Sequence, residues 1–254
     1  MLYGVSPVLE CLRAGRRACQ RLYVKEGGAG PQLQEILRLA RQRRVAVEER
    51  SVQDLANLAR DRHHQGVVLM CGELPTHDLR DFLGGVGYGR ACLVALDQIQ
   101  DPQNLGAIVR TAAFLGASAA ITLRRGCAPL SAAVSKASAG ALEFLPVIEV
   151  ANLADALLRC RDNGFAVLGT GLGEEAVDFR TVGRPERLVL VLGSEGDGMR
   201  ALSRRRCDCV VRIPGVPGTQ SLNVNASAAI LLQHFLGEGG WRTANGKENI
   251  ANSK

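Results

Sequence analysis

The sequence predicts an α/β protein built from two units, and three observations support that fold class. Apolar segments of strand length alternate with segments of helical period, first along residues 1–71 and again from residue 90. The later strand segments are almost continuously apolar, which is typical of parallel strands covered by helices on both faces. Hydrophobic residues make up 46% of the 254-residue chain and charged residues 22%, a composition that can form a sizeable buried core.

These patterns divide the chain into four parts. We expect a small α/β unit at residues 1–71, a linker at 72–89, a larger parallel-sheet domain at 90–236 and a polar, disordered tail at 237–254. The linker is expected because periodicity is lost there and four glycines fall between residues 84 and 89.

The elements follow in order from local signals. The first helix has Ser6 as its expected N-cap, because Pro7 suits the first helical position and Gly15 suits a helix end. Further helices are expected from Pro31 and at 54–59, with strands at 22–24, 45–47 and 67–70. In the larger domain we expect strands at 91–96, 119–123, 144–148, 165–169, 188–192 and 210–213, and helices near 105–115, 131–140, 152–163 and 223–236.

Charge is concentrated near the N-terminus. The whole chain has a net charge of +6, and residues 1–71 hold 12 lysines and arginines against 7 acidic residues. This surface is suited to attracting phosphates, although a basic face that is simply solvated explains the charge equally well. Aromatic residues are only 4% of the chain, which argues against base stacking as the main mode of RNA binding.

The cysteines indicate neither disulfides nor a metal site. No CxxC pair is present, and most cysteines lie in apolar stretches, so we expect reduced thiols and no bound metal. No apolar run approaches the roughly 18 residues that span a membrane. No signal or transit peptide is visible before Met1-Leu2-Tyr3-Gly4. The cysteines are Cys11, Cys19, Cys71, Cys92, Cys127, Cys160, Cys207 and Cys209.

Three segments of the larger domain depart from local rules, and the first is 96–111. A strand ends there in a polar loop, and Asn104 is placed to cap the following helix. Arg110 is the only charged residue between Asp101 and Arg124. In an otherwise apolar helix it needs a carboxylate, a phosphate or a solvated cleft, and the alternative is an ordinary surface arginine.

The other two segments are rich in glycine and asparagine. Residues 188–192 form a strand that runs into Gly193-Ser194-Glu195-Gly196-Asp197-Gly198, where glycines let backbone amides approach a ligand. Open α/β sheets bind ligands at this end of their strands. Residues 213–227 contain two Pro-Gly pairs and then a helix start crowded with Ser221, Asn223 and Asn225, which suits a polar ligand or is merely an over-capped helix.

In this order, the three segments resemble the SpoU/TrmH family of the SPOUT superfamily, which are RNA ribose 2′-O-methyltransferases. The resemblance covers about residues 90–236 and extends over 1–71, where Tyr3-Gly4-Val5-Ser6-Pro7-Val8 and His64-Gln65-Gly66-Val67 are similar to the family's small substrate-binding domain. Within the family the chain most resembles vertebrate mitochondrial large-subunit rRNA guanosine 2′-O-methyltransferases. Only four of its 31 basic residues are lysines, which fits a GC-rich gene.

The resemblance implies a fold and a site that composition cannot show. It implies a ribosomal-protein-like small domain, a trefoil-knotted catalytic domain that pairs as a homodimer, and S-adenosylmethionine as methyl donor. By matching motif, the implied donor-binding residues are Gly193, Ile213, Leu222, Thr170, Gly171, Ser194 and Pro214. The implied polar catalytic set is Asn104, Arg110, Glu195, Ser221 and Asn223.

The implied mechanism leaves the proton acceptor open. No histidine lies in the three segments, so the usual general base is missing. Either Arg110 takes the proton of the 2′-hydroxyl, with help from a substrate phosphate, or Arg110 holds the phosphate and stabilises the developing alkoxide while another group takes the proton. Glu195 would pair with or orient Arg110, and Ser221 and Asn223 would position the ribose.

The resemblance also implies partners and a compartment. The expected substrate is a guanosine of large-subunit rRNA, with tRNA as the alternative and a catalytically silent ribosome-assembly protein as an alternative from another class. The expected compartment is the mitochondrial matrix, with the transit peptide absent from this chain, or else a bacterial-type cytoplasm. A nucleotide-dependent oxidoreductase is excluded, because no fingerprint loop follows the first strand of the larger domain.

Overall fold

A computed structural model describes residues 1–87, 89–216 and 221–237. They form two sheets: a mixed sheet of four strands in the N-terminal part and a sheet of seven strands in the rest. The expected tail lies almost wholly outside the described residues, as do residues 217–220 of the third motif segment.

The small sheet has the order β1-β4-β2-β3, with β4 antiparallel to both of its neighbours and β2 parallel to β3. Helices α1 and α2 pack on one face of the sheet and α3 packs on the other. The strands are β1 (Leu2–Tyr3), β2 (Cys19–Lys25), β3 (Ala46–Arg50) and β4 (Val67–Cys71), and the helices are α1 (Val5–Ala14), α2 (Pro31–Gln42) and α3 (Val52–Ala59).

The cap of the first helix differs from the sequence prediction. Helix α1 begins at Val5, and its N-cap is Gly4 at a φ of 92°, so Ser6 lies inside the helix. Gly4 takes this role because a left-handed φ costs it little and would strain serine.

The large sheet has the order β7-β6-β5-β10-β8-β11-β9, and every pair of neighbouring strands is parallel. Its strands are β5 (Ala91–Asp97), β6 (Ala119–Leu123), β7 (Val147–Val150), β8 (Ala166–Thr170), β9 (Val177–Asp178), β10 (Arg187–Gly193) and β11 (Cys209–Arg212). Its helices are α4 (Leu79–Gly85), α5 (Pro102–Phe114), α6 (Ala132–Ala137), α7 (Leu153–Asp162), α8 (Ala201–Arg204) and α9 (Val224–Leu236).

Both faces of the large sheet are buried, which confirms the predicted parallel sheet. In β5, Cys92, Val94 and Leu96 join the core formed with α5 and α9, whereas Ala91, Leu93 and Ala95 join the core formed with α4 and α7. This alternation explains why consecutive positions of the central strands are apolar.

The structure corrects two boundaries. The segment expected to be a linker contains α4, which buries Leu79, Phe82 and Leu83 against the sheet and is capped by Asp78. The strand expected at 144–148 begins only at Val147, and Phe144 lies 52% exposed after a 3-10 turn at Ala141–Glu143. Pro146, which has no backbone N–H to give to a ladder, separates the two.

Among the described residues, no helix is long and apolar enough to cross a membrane. All eight cysteines are free thiols.

Candidate active site

The three motif segments meet at the carboxyl edge of the large sheet. Strands β5, β10, β8 and β11 are successive neighbours there, and all four run in the same direction. The loops that follow them, beginning at residues 98, 194, 171 and 213, therefore lie side by side. This edge is where open α/β sheets bind their ligands.

The loop after β10 is a closed turn. The amide of Ser194 donates to the carbonyl of Gly198 at 3.1 Å, and the amide of Gly198 donates back at 3.1 Å. Gly193 lies against this turn, and a Cβ there would be 2.3 Å from the carbonyl carbon of Gly198. Only glycine therefore allows the turn to fold onto the end of the strand.

A buried carboxylate anchors the turn, and the sequence interpretation missed it. Asp97 is fully buried at the end of β5, opposite Gly193 in the strand register. Its two oxygens accept hydrogen bonds from the Arg200 amide at 2.9 Å and the Arg200 Nε at 2.7 Å. An acid that ends an otherwise wholly apolar strand is the sequence signal that marks such a residue.

A hydrogen-bonded group of polar side chains links the second and third segments. Asn223 caps α9 by accepting from the amide of Asn225 at 2.8 Å, and its Nδ2 donates to Oε1 of Glu195. Asn225 in turn donates to Oδ1 of Asn104 at 2.7 Å. Four side chains from the three motif segments are thus brought together: Asn104, Glu195, Asn223 and Asn225.

Asn104 and Asn225 differ from the expectations for them. The N-cap of α5 is Asp101, which accepts from the Gln103 amide at 3.0 Å, so Asn104 lies inside the helix and its side chain is available for the site. Asn225 lies outside the catalytic set that the resemblance implies. Its Oδ1 is nevertheless buried and has no hydrogen-bond partner within the described residues, so it can accept from a ligand.

Two of these side chains, Asn104 and Glu195, border a cavity of about 300 Å³. Three carboxylates face it, from Asp101, Glu195 and Asp197, so the cavity favours positive charge over phosphate. The other residues that line it are Gln98, Ile99, Gln100, Asn104, Ser194, Gly196 and Val224.

The expected donor-binding residues lie along the same edge. The Thr170 hydroxyl donates to the carbonyl of Val191 at 3.0 Å, and the Gly171 amide donates to the carbonyl of Val211 at 3.0 Å, so both tie β8 to its neighbours. Ile213 is half-buried against the core, while Pro214, Ser221 and Leu222 are exposed.

Arg110 does not join this group. It lies six residues beyond Asn104 on α5, about 9 Å along the axis and about 120° around it. Its side chain is exposed rather than buried, and no ion pair or hydrogen bond of its guanidinium is found among the described residues. It lines a second groove of about 1050 Å³ together with Glu10, Phe114 and Phe144.

No group of three metal-ligating side chains occurs in the described part of the chain.

Comparison with known proteins gives the family. Residues 91–233 match the SpoU rRNA methylase family, and residues 1–76 match the substrate-binding domain of RNA 2′-O-ribose methyltransferases. The chain belongs to the SpoU family. It is therefore an RNA 2′-O-methyltransferase whose methyl donor is S-adenosylmethionine.

Individual relatives of this SpoU protein match over nearly its whole length. The 23S rRNA (guanosine-2′-O-)-methyltransferase RlmB of Neisseria meningitidis is 35% identical over 91% of this chain and 92% of its own length. An uncharacterised tRNA/rRNA methyltransferase of Mycolicibacterium vanbaalenii is 38% identical over 91% of this chain and 74% of its own. The crystal structure of the AdoMet-bound rRNA methyltransferase from Sinorhizobium meliloti has a TM-score of 0.77 and 28% identity, and the match covers 92% of this chain and 85% of that one.

The residues at the sheet edge fit the methyl donor of the SpoU family. Leu172 and Leu222, exposed by 70% and 49%, offer apolar surface to an adenosyl group. The unpartnered Oδ1 of Asn225 is an acceptor for a polar group. The carboxylates of Glu195 and Asp197 line the neighbouring cavity and would supply negative charge suited to a cationic group such as a sulfonium.

Proposed function

We propose that this chain methylates the ribose 2′-hydroxyl of a guanosine in large-subunit rRNA. The observation that carries the proposal is the hydrogen-bonded group of Asn104, Glu195, Asn223 and Asn225 beside the closed turn at 194–198. The choice of guanosine as the nucleotide and of large-subunit rRNA as the substrate rests on the activity named for the Neisseria relative. The Mycolicibacterium relative, named for tRNA and rRNA together, favours tRNA as the second candidate.

The donor site in this proposal is formed by the strand ends at Thr170, Gly171, Gly193, Ser194, Ile213, Pro214 and Leu222. Bound there, S-adenosylmethionine supplies an electrophilic methyl group. Backbone groups of the closed turn and the apolar side chain of Leu222 would hold it. Because Gly193 and Asp97 fix the turn, the pocket needs little rearrangement on binding.

In the acceptor site, Asn104, Glu195, Ser221 and Asn223 orient the ribose. Glu195 accepts from Asn223 and keeps a second oxygen for the 2′-hydroxyl, and Ser221 lies exposed two residues before the cap. Holding the hydroxyl oxygen in line with the methyl carbon supplies a large part of the rate.

Arg110 acts in this proposal across a homodimer. Phe114 is 86% exposed and Phe144 52% exposed, and both line the groove that contains Arg110. Apolar side chains exposed to this extent mark a contact surface, and a second copy of the chain is the occupant we propose. Arg110 of one copy would then enter the acidic cavity of the other. There its positive charge would offset the three carboxylates, so that the site could hold the substrate phosphate and stabilise the developing alkoxide.

A trefoil knot in the catalytic domain belongs to the same proposal. It is supported by the meeting of the three loops after β10, β8 and β11 at one edge, which a knotted chain would hold together. Residues 217–220 of the third motif segment lie outside the described residues.

The compartment follows the source of the ribosome. The relatives named above come from bacteria, which favours a cytoplasmic ribosome as the substrate. A mitochondrial matrix location and vertebrate mitochondrial relatives rest on the sequence resemblance alone. Mapping of 2′-O-methyl positions in mitochondrial and cytoplasmic rRNA, with and without the protein, distinguishes the two.

The first experiment measures transfer of labelled methyl from S-adenosylmethionine to total RNA. Wild type is expected to label large-subunit rRNA. Arg110→Ala is expected to lower turnover at least a hundredfold and to leave donor affinity within twofold, because Arg110 lies away from the strand ends. An Arg110→Ala variant with wild-type turnover excludes Arg110 from the site. A wild type that binds RNA but transfers no methyl supports the ribosome-assembly alternative.

A further inference from the structure

The two domains meet across a buried ion pair that the proposed mechanism does not use. Arg17 lies between α1 and β2 of the small domain, and Glu143 lies in the 3-10 turn of the large domain. Their side chains are 4% and 0% exposed. The Nε of Arg17 donates to the two carboxylate oxygens at 3.1 and 2.9 Å, and its Nη2 donates to Oε1 at 2.7 Å.

The surrounding contacts complete a clasp, by which we mean Arg16, Arg17 and Glu143. Arg16 donates to the carbonyls of Glu143 at 3.3 Å, Leu145 at 3.4 Å and Pro75 at 3.1 Å. Arg17 also reaches the Ser135 hydroxyl at 3.4 Å. Except for Pro75, these acceptors belong to the large domain: Glu143 lies in the 3-10 turn, Leu145 lies two residues after it, and Ser135 lies in α6.

Two further contacts flank the clasp. Lys136 of α6 forms an ion pair with Asp61 of the small domain at 3.0 Å. Gly140 approaches α1 so closely that a Cβ there would be 2.7 Å from the Cβ of Glu10. The domains therefore contact each other at several points and are not joined only by the segment that connects them.

A buried ion pair contributes little net stability. Removing both charges from water costs about as much free energy as their attraction returns, so an apolar pair of similar size would stabilise the contact as well. What a bidentate pair adds is direction, since the planar guanidinium and carboxylate bind in one relative orientation.

The clasp acts on the helix that carries the site. Helix α6 packs directly on α5, where a Cβ at Gly106 would be 2.4 Å from the Cβ of Ala137. Helix α5 carries Asn104 and Arg110. The orientation of the small domain is thereby fixed relative to these two side chains.

We propose that Arg17 and Glu143 are positioning residues that lock the small domain in one orientation, so that RNA held on it is presented in register to the site on α5. The part of this proposal that concerns RNA rests on the proposed function, whereas the fixed orientation of the small domain does not. The partner it fits is a folded RNA that contacts both domains at once, rather than a short single strand.

The test compares one double variant with a matched control. Arg17→Met/Glu143→Leu replaces the pair by apolar side chains. The control is Glu35→Gln, which removes the exposed Arg38–Glu35 pair of α2 in the same domain. For each we measure Tm, donor Kd, RNA Kd, kcat on a folded rRNA fragment, and the small-angle X-ray scattering profile.

The proposal predicts that the double variant changes kcat and the scattering profile but not Tm or the two dissociation constants. The double variant is expected to keep a Tm within a few degrees of wild type and donor and RNA Kd within twofold, while kcat falls about tenfold and the scattering profile broadens. Glu35→Gln is expected to match wild type in every measurement. A double variant with wild-type kcat and scattering overturns the proposal. If wild type methylates no RNA, the proposed function fails. The scattering profile of the double variant then tests the clasp by itself: a broadened profile supports a role of the clasp in fixing the orientation, and an unchanged profile overturns it.

Discussion

At the scale of single residues, two half-buried cysteines are expected to differ sharply in reactivity. A hydrogen bond from Cys11 lowers the pKa of Cys71 despite burial, and the charge of Arg17 adds to this effect. Burial raises the pKa of Cys207 to about 12, and the nearby charge of Asp208 adds to the rise. Because the thiolate is the reactive form, iodoacetamide at pH 7 should modify Cys71 at least tenfold faster than Cys207.

Peptide mass spectrometry over a time course measures the two rates. Raising the pH should increase the Cys71 rate through a midpoint below that of a free cysteine and should leave Cys207 nearly unreactive. Cys71→Ser should abolish the fast modification and leave the slow ones unchanged. Equal rates at the two cysteines would show that the hydrogen bond from Cys11 does not favour the Cys71 thiolate.

Single residues also show where sequence reasoning fails. Asn104 and Asn223 were predicted as site residues from their motif positions, but the prediction that Asn104 caps the helix was wrong, because Asp101 three residues earlier supplies the cap. Asp97 was missed because its partner Arg200 is 103 residues away in sequence. Arg110 was expected to need a carboxylate, a phosphate or a solvated cleft, or else to be a surface arginine; it is exposed and lines a groove. Sequence alone could not decide between these alternatives, since the face of a helix that a neighbour covers depends on packing rather than on composition.

At the scale of elements, the packing of α5 against α6 depends on one glycine. Replacing a helical glycine by alanine normally stabilises a protein, because alanine has the higher helix propensity. At Gly106, however, the new Cβ would be 2.4 Å from the Cβ of Ala137 and 2.9 Å from the carbonyl oxygen of Val134. We therefore expect Gly106→Ala to destabilise the fold by about 1–3 kcal/mol.

Gly84 is the matched control, because it lies in α4 and a Cβ there meets nothing within 4 Å. Gly84→Ala should leave stability unchanged or raise it by up to about 1 kcal/mol. Urea denaturation of both variants and wild type measures the difference. A Gly106→Ala variant as stable as Gly84→Ala would show that α5 and α6 can move apart at little cost.

Elements were predictable where a periodic pattern was long and poorly predictable where it was short. Strands β5, β6, β8, β10 and β11 were placed within one or two residues, because each contains a run of consecutive apolar residues. Helix α4 has only seven residues, of which two are its terminal glycines, so its pattern resembles a linker. The start of β7 was misplaced because Phe144 is apolar but exposed, and no local pattern distinguishes it from a strand residue.

At the scale of the whole molecule, the two cavities divide the proposed machinery. Asn104 and Glu195 line the acidic cavity, and Arg110 lines the apolar groove. Neither of these two cavities is lined by both Arg110 and Glu195, so the described residues of one chain do not bring the whole implied catalytic set to one point. The sequence could not reveal this division, because Asn104 and Arg110 are only six residues apart in it.

A homodimer that shares its sites predicts complementation between inactive variants. Arg110→Ala and Asn223→Ala homodimers should each be inactive, since every site lacks one group. When the two variants are co-expressed with different tags and purified as a heterodimer, one of the two sites has Asn223 from one chain and Arg110 from the other. That heterodimer should recover about half of wild-type turnover on rRNA, since one of its two symmetry-related sites is intact.

Pairing Arg110→Ala with an Arg110→Ala/Asn223→Ala chain is the control and should recover none. If Arg110 instead serves its own chain, the first heterodimer is as inactive as the control, because each of its sites then lacks one of the two groups.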